Sequence, residues 1–197
     1  MTARAATSKK QSMTERALAR RSEYWPKVRD EDLWHRKRND GYATIPRTLP
    51  ILMNVIDYMT SGKPAGPTYL ALWCRNPDES VVTIDSQEVL AEESGFTGER
   101  KVTTWRARMK SLADLGFIDP RRGASGEFQY VLIPNPHLIA RRLRGRFPEA
   151  MWAMLFERGS EIGASDLTIA PAQLAPKPTA AGGGRSGVRR AAVSPTK

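Results

Sequence analysis

The 197-residue sequence predicts an α+β chain, mainly helical and carrying one small β-hairpin. Three observations predict it. Apolar residues recur every three or four positions in Leu52, Val55, Ile56, Met59 and again in Val102, Trp105, Met109, Leu112, the period of a one-sided helix. Glycine-bearing breaks at Ser61-Gly62, Ser94-Gly95 and Gly116 cut those runs into short elements. Two β-rich stretches, Phe117-Ile118 and 128–133, flank a loop expected over 120–126.

In chain order, residues 1–21 are small, polar and basic, with no sustained apolar period, and are expected to be a disordered basic arm or a frayed helix. Over 22–45, Trp25, Val28, Leu33 and Trp34 interleave with cations, Arg36-Lys37-Arg38 among them. Such a mixture is compatible with nucleic-acid contact, but packing of the aromatics with solvation of the charges is the preferred expectation. His35 has no ligand-type partner at metal spacing. Thr48 is placed to cap a helix that tolerates Pro50 in its first turn. Tyr69, Leu70, Leu72 and Trp73 belong to the next helix, and Asn76-Pro77-Asp78 turns the chain into a short strand at 81–84.

Asp85 opens D-S-Q-E, a capping box with Glu88, and that brief helix stops at Ser94-Gly95. Thr97 is the expected cap of a helix over 98–115. Opposite its apolar stripe lie Arg100, Thr103, Thr104, Ala107, Lys110 and Ser111, with acids only at the ends, Glu99 and Asp114. Lys101 falls towards the apolar side, from which its amine can snorkel. The loop at 120–126 carries Arg121 and Arg122. Beyond Pro134, a short helix sets Leu138, Ile139 and Leu143 against Arg141, Arg142, Arg144 and Arg146, which either meet a polyanion or face water. The helix after Pro148 holds Met151, Trp152, Leu155 and Phe156, an apolar block for packing on the domain or for pairing with a second copy. Residues 161–197, rich in Ala, Pro and Gly, are expected to be a disordered tail. The folded domain is thereby expected over 22–160, with its core at 67–134.

A net charge of +10 and a pI near 10.1 suit a polyanionic partner. The lone cysteine, Cys74, excludes an intramolecular disulfide, and its apolar neighbours Leu72 and Trp73 predict burial. No apolar run approaches the roughly eighteen residues of a membrane span, and the N-terminus lacks a secretory signal's apolar core. A cytoplasmic protein without membrane contact is the expectation. The sequence has no H-E-x-x-H, C-x-x-C or G-x-x-x-x-G-K-[ST]. Gly182-Gly183-Gly184 has no flanking strand, and Asp30, Glu31 and Asp32 read as an exposed charge run. Neither an enzymatic role nor a cofactor or metal is expected.

Helix, Ser94-Gly95-Phe96 turn, helix, the L-x-x-L-G-F-I passage 112–118 and a basic-tipped hairpin together resemble a winged helix-turn-helix DNA-binding domain. The resemblance implies that the 98–115 helix enters the major groove of double-stranded DNA. Arg100, Thr103, Thr104 and Ala107 would then read bases, while Lys101, Arg106, Arg108, Lys110 and the wing's Arg121 and Arg122 hold phosphates. It further implies a possible homodimer through the flanking helices. Residues 45–73 (IPRTLPILMNVIDYM…TYLALWC) and the S-G-F-T-G-E-R turn resemble small plasmid-borne winged-helix proteins of proteobacteria. Those act in replication, copy control or transcription regulation. A protein-interaction module and a non-specific RNA-binding module are the alternatives. The cationic outer face disfavours the first; arginine- and glycine-rich tails keep the second open.

Overall fold

The computed structural model describes residues 13–167, in two compact units, Met1–Ala43 and Thr44–Lys197. The arm over 1–12, the tail over 168–197 and the triple glycine lie outside the described residues. In the first unit, helix α1 (Met13–Tyr24) takes the helical of the two alternatives expected for the arm, from residue 13 onward. Its Ala17-Leu18-Ala19 run favours helix, and Glu15 and Arg21 lie at the ends where their charges suit the helix dipole. The acidic run forms a 3-10 turn, Asp30–Asp32, whose carboxylates pair with Arg21 and Arg29. The packing expected of Trp25, Val28 and Trp34 is not found: they are 61%, 41% and 62% exposed. Too few apolar residues surround them to make a core.

The second unit runs α2 (Leu49–Met59), α3 (Gly66–Cys74), β1 (Val81–Thr83), α4 (Gln87–Glu93) and α5 (Lys101–Leu115). The hairpin β2 (Asp119–Gly123) and β3 (Gly126–Leu132) follows, then α6 (Pro136–Leu143), α7 (Glu149–Ile162) and a 3-10 turn, Ser165–Leu167. The fold is thus α+β, with seven α-helices and a three-stranded antiparallel sheet of order β1-β3-β2 among the described residues. The stretch from α3 to β3 is compatible with a winged-helix layout. No described helix is long and apolar enough to cross a membrane.

The core forms where the one-sided stripes converge. Trp105, Met109 and Leu112 of α5 are fully buried, and Trp105 meets Phe128 of β3 edge to face at 5.7 Å. That ring pair fixes the helix on the sheet and contributes about 0.5–1.5 kcal/mol beyond area burial. The glycine stops at Gly95 and Gly116 close their helices in the same way. Phe96 N–H returns to Ala91 O and Gly95 N–H to Glu92 O; Phe117 N–H returns to Leu112 O and Gly116 N–H to Ala113 O. This double return needs a left-handed residue, here Gly95 at φ 85° and Gly116 at φ 83°.

Several local expectations are corrected. Ser86 rather than Asp85 caps α4, accepting from Val89 N–H at 3.3 Å. Helix α5 starts after Arg100, three residues beyond the region of the expected Thr97 cap, because Gly98 at φ 77° interrupts helical geometry. Thr48 caps α2 by position only, its hydroxyl being engaged elsewhere. Arg121 and Arg122 lie on β2, not in a loop; Pro120 is tolerated because β2 is an edge strand. Cys74, expected to be buried, is exposed at the last residue of α3. The packed chain continues past 160: α7 ends at Ile162, and Leu167 is buried over Gly159.

Candidate nucleic-acid interface

Helix α5 presents a polar strip opposite its buried stripe. Arg100, Thr103, Ala107 and Lys110 are exposed along it and Thr104 is half-buried, so the four expected base-reading residues share one accessible side. Acidic groups mark its ends. Asp114 pairs with Lys110 at 3.2 Å, and Glu99 is exposed before the first turn. The cationic character is therefore concentrated in the N-terminal half.

Arg106 and Arg108 border the strip. Two residues apart, they are separated by about 200° around the helix and leave it in opposite directions. Arg106 Nε donates to Gln87 Oε1 at 2.7 Å, and Gln87 Nε2 donates to Ser125 O at 3.0 Å. A single buried glutamine thus joins the start of α4, the side of α5 and the β2–β3 turn. Gly126, at φ 120°, makes room for it: a Cβ there would lie 2.6 Å from Gln87 Nε2. Gln129, also buried, accepts from Ser125 N–H at 3.2 Å and holds the turn from its other side. Gln87 was missed by sequence reasoning, where it was only the third residue of a capping box.

Arg108 is engaged otherwise. Its Nε donates to Pro64 O at 3.1 Å, and its guanidinium lies over the Phe96 ring at 5.7 Å. Lys101 pairs with Glu92, and Arg121 with Asp119. Of the six residues expected on phosphates, Arg106 and Arg122 are thus the exposed cations without an ion pair among the described residues. Of the arginines after the hairpin, Arg142 and Arg146 are exposed, and the other two are engaged within the chain. Arg144 pairs with Glu149 at 2.5 Å and stacks over Trp152 at 4.9 Å, while Arg141 reaches Asp166 O at 3.4 Å.

A second polar constellation lies elsewhere in this unit. Thr48 Oγ1 and His137 Nε2 are 2.6 Å apart, and His137 Nδ1 lies 2.8 Å from Asp166 Oδ2, which also accepts from Asn135 Nδ2 at 2.8 Å. Burial pushes the Asp166 pKa up, but the hydrogen bonds from Asn135 and His137 outweigh it and hold the carboxyl below the usual aspartate range. The order hydroxyl–imidazole–carboxylate has the connectivity of a nucleophilic triad. Thr48, however, has no exposed surface, so its hydroxyl is out of reach of a substrate. Both imidazole nitrogens are occupied, which makes the trio a clasp between α2, α6 and the terminal 3-10 turn. Among the described residues, no group of three or more His, Cys, Asp or Glu side chains is arranged to hold a metal ion.

Comparison with protein families, with curated proteins and with solved structures finds no match to this chain.

Proposed function

We propose that the second unit is a winged helix-turn-helix domain that binds double-stranded DNA sequence-specifically. In this reading α5 enters the major groove, Arg100, Thr103, Thr104 and Ala107 meet base edges, and the β2–β3 hairpin is the wing. The observation that carries the reading is the exposed polar strip of α5, bordered by Arg106 and coupled through Gln87 to the hairpin turn. An arginine on that strip can bond guanine in two places, and threonine and alanine methyls can pack on thymine. Arg106 and Arg122 hold phosphates and fix the register. Lys101, Arg108, Lys110 and Arg121 take lesser parts, since each is already engaged within the chain. A role in transcription regulation or plasmid replication follows from the sequence resemblance alone.

The test is selection of the full-length chain on a randomised duplex pool at near-physiological salt, with sequencing of the retained fraction. An enriched motif supports the proposal, and a two-fold symmetric one adds a dimer. Retention without enrichment leaves backbone binding only, and no retention ends the DNA reading.

A further inference from the structure

We propose that the first unit carries a separate site for single-stranded nucleic acid, built from the Trp34–Tyr42 ring pair and the adjoining Arg36-Lys37-Arg38 run. The site does not depend on the reading of α5. Tryptophan is among the more buried residue types in folded chains, because its large ring gains much by leaving water. Here Trp34 is 62% and Tyr42 53% exposed, and Tyr24 and Trp25 are 66% and 61% exposed in the same unit. Trp34 and Tyr42 sit edge to face, with centroids 6.2 Å apart and planes at 75°. In that arrangement the ring offering its edge has neither face covered by the other ring, so a further flat ring can stack on it.

The intervening turn is held firmly. His35 N–H donates to Asn39 Oδ1 at 2.9 Å, Lys37 N–H to His35 Nδ1 at 3.1 Å, and Arg38 N–H to His35 O at 2.8 Å. It presents three consecutive cations, and none of them has an ion pair among the described residues. The nearby acids do not cancel them. Asp30 is taken by Arg21 at 2.6 Å, and Glu31 and Asp32 by Arg29 at 2.7 and 2.9 Å; only Asp40 remains beside the run. Arg21, His35, Lys37 and Arg38 also line an open cleft of about 350 Å³, together with Leu18 and Asp30. The cleft is large enough for a phosphate group.

An exposed ring pair whose members flank a cationic run in the chain asks for a partner that offers flat rings and anions along one backbone. An unpaired nucleotide has both. A duplex hides its base faces in the stack, so the chemistry selects single strands, with little preference among bases because each has a π-face.

The experiment measures binding of the full-length protein to a fluorescent oligothymidylate of about fifteen nucleotides across a salt series. Trp34→Ala with Tyr42→Ala is expected to weaken binding about 10- to 100-fold with an unchanged salt slope, and Trp34→Phe to restore most of the Trp34 contribution. Arg36→Ala, Lys37→Ala and Arg38→Ala together are expected to lower the log–log salt slope by about two units. Arg100→Ala, on α5, is expected to leave oligothymidylate binding as it was. Unchanged affinity in the aromatic variant overturns the proposal. So does an absence of oligothymidylate binding, and if these same substitutions then abolish binding to phosphatidylserine vesicles, the segment is a membrane-surface anchor instead.

Discussion

Replacing Gln87 by alanine severs both contacts that join α4, α5 and the hairpin turn. Gln87 is 5% exposed, so its amide is already desolvated, and each lost bond reads as a net effect rather than an exchange with water. The bond from Arg106 is charge-assisted, but the guanidinium is exposed and regains water; the bond to Ser125 O is neutral. Together they amount to about 1–2 kcal/mol of stability, or roughly 4–8 °C in Tm for a domain of this size. Binding responds by a different route. The charge of Arg106 survives, but its side chain must be ordered on the phosphate without help, at about 0.5–1.5 kcal/mol. Duplex affinity is therefore expected to fall about two- to tenfold, with the salt slope unchanged. Arg106→Ala, in contrast, should lower the slope by about 0.9. Gln87→Glu separates the two contacts: it keeps Arg106 through an ion pair and sets a carboxylate against the Ser125 carbonyl, so the loss should appear in stability rather than in affinity. Thermal melts and fluorescence anisotropy on a duplex from the selected pool measure both quantities. A Gln87→Ala variant that melts lower yet binds duplex with full affinity would show that the glutamine only props the fold, and Arg106 would lose its place at the interface.

Three further outcomes are expected. Arg100→Ala should weaken binding to the selected duplex by about 1–3 kcal/mol and relax preference at one base pair; uniform weakening on all sequences would remove Arg100 from base reading. Arg122→Ala should reduce the log–log salt slope by about 0.9, and Arg121→Ala by less, since Asp119 already neutralises Arg121; an unchanged slope in the double variant would exclude the hairpin from the interface. Asp166→Ala should cost about 1–3 kcal/mol at neutral pH. Because the folded-state pKa of Asp166 is depressed, its contribution is present above the unfolded value and is lost as pH falls below about 4, so the variant's stability should decline less over that acid range than the parent's. Parallel acid limbs in chemical denaturation would dismiss the clasp as the cause.

The helix stripes were legible because burial repeats with the helical period: Trp105, Met109 and Leu112 needed no partner to be named. The glycine stops at Gly95 and Gly116 were legible for the same local reason. Cap positions were less so, since Asp85 and Ser86 are both good caps and backbone geometry chose between them. The strand at Arg121 and Arg122 was not legible because a stretch with Pro120 and no apolar alternation carries no strand signal, although an edge strand tolerates it. Cys74 was misread because neighbours in sequence stand on different faces of a helix. The roles of Gln87 and His137 were hidden for a deeper reason. Their partners lie 38 and 29 residues away at Ser125 and Asp166, and only the assembled fold brings a glutamine or a histidine to them.

The Thr48–His137–Asp166 clasp also has a mechanical consequence. Thr48 stands near the beginning of the second unit and Asp166 near the end of its described part, so one imidazole ties the first and last described elements together. The described part of the unit, residues 44–167, is thereby fastened close to both of its limits. Tension applied at residues 48 and 166 meets the imidazole bonds before it reaches the apolar interior, and clasp and interior should yield in one step. Cutting the chain at residue 160 would open the ring: His137 would keep Thr48 and lose its carboxylate, and α6 would become the place where opening begins.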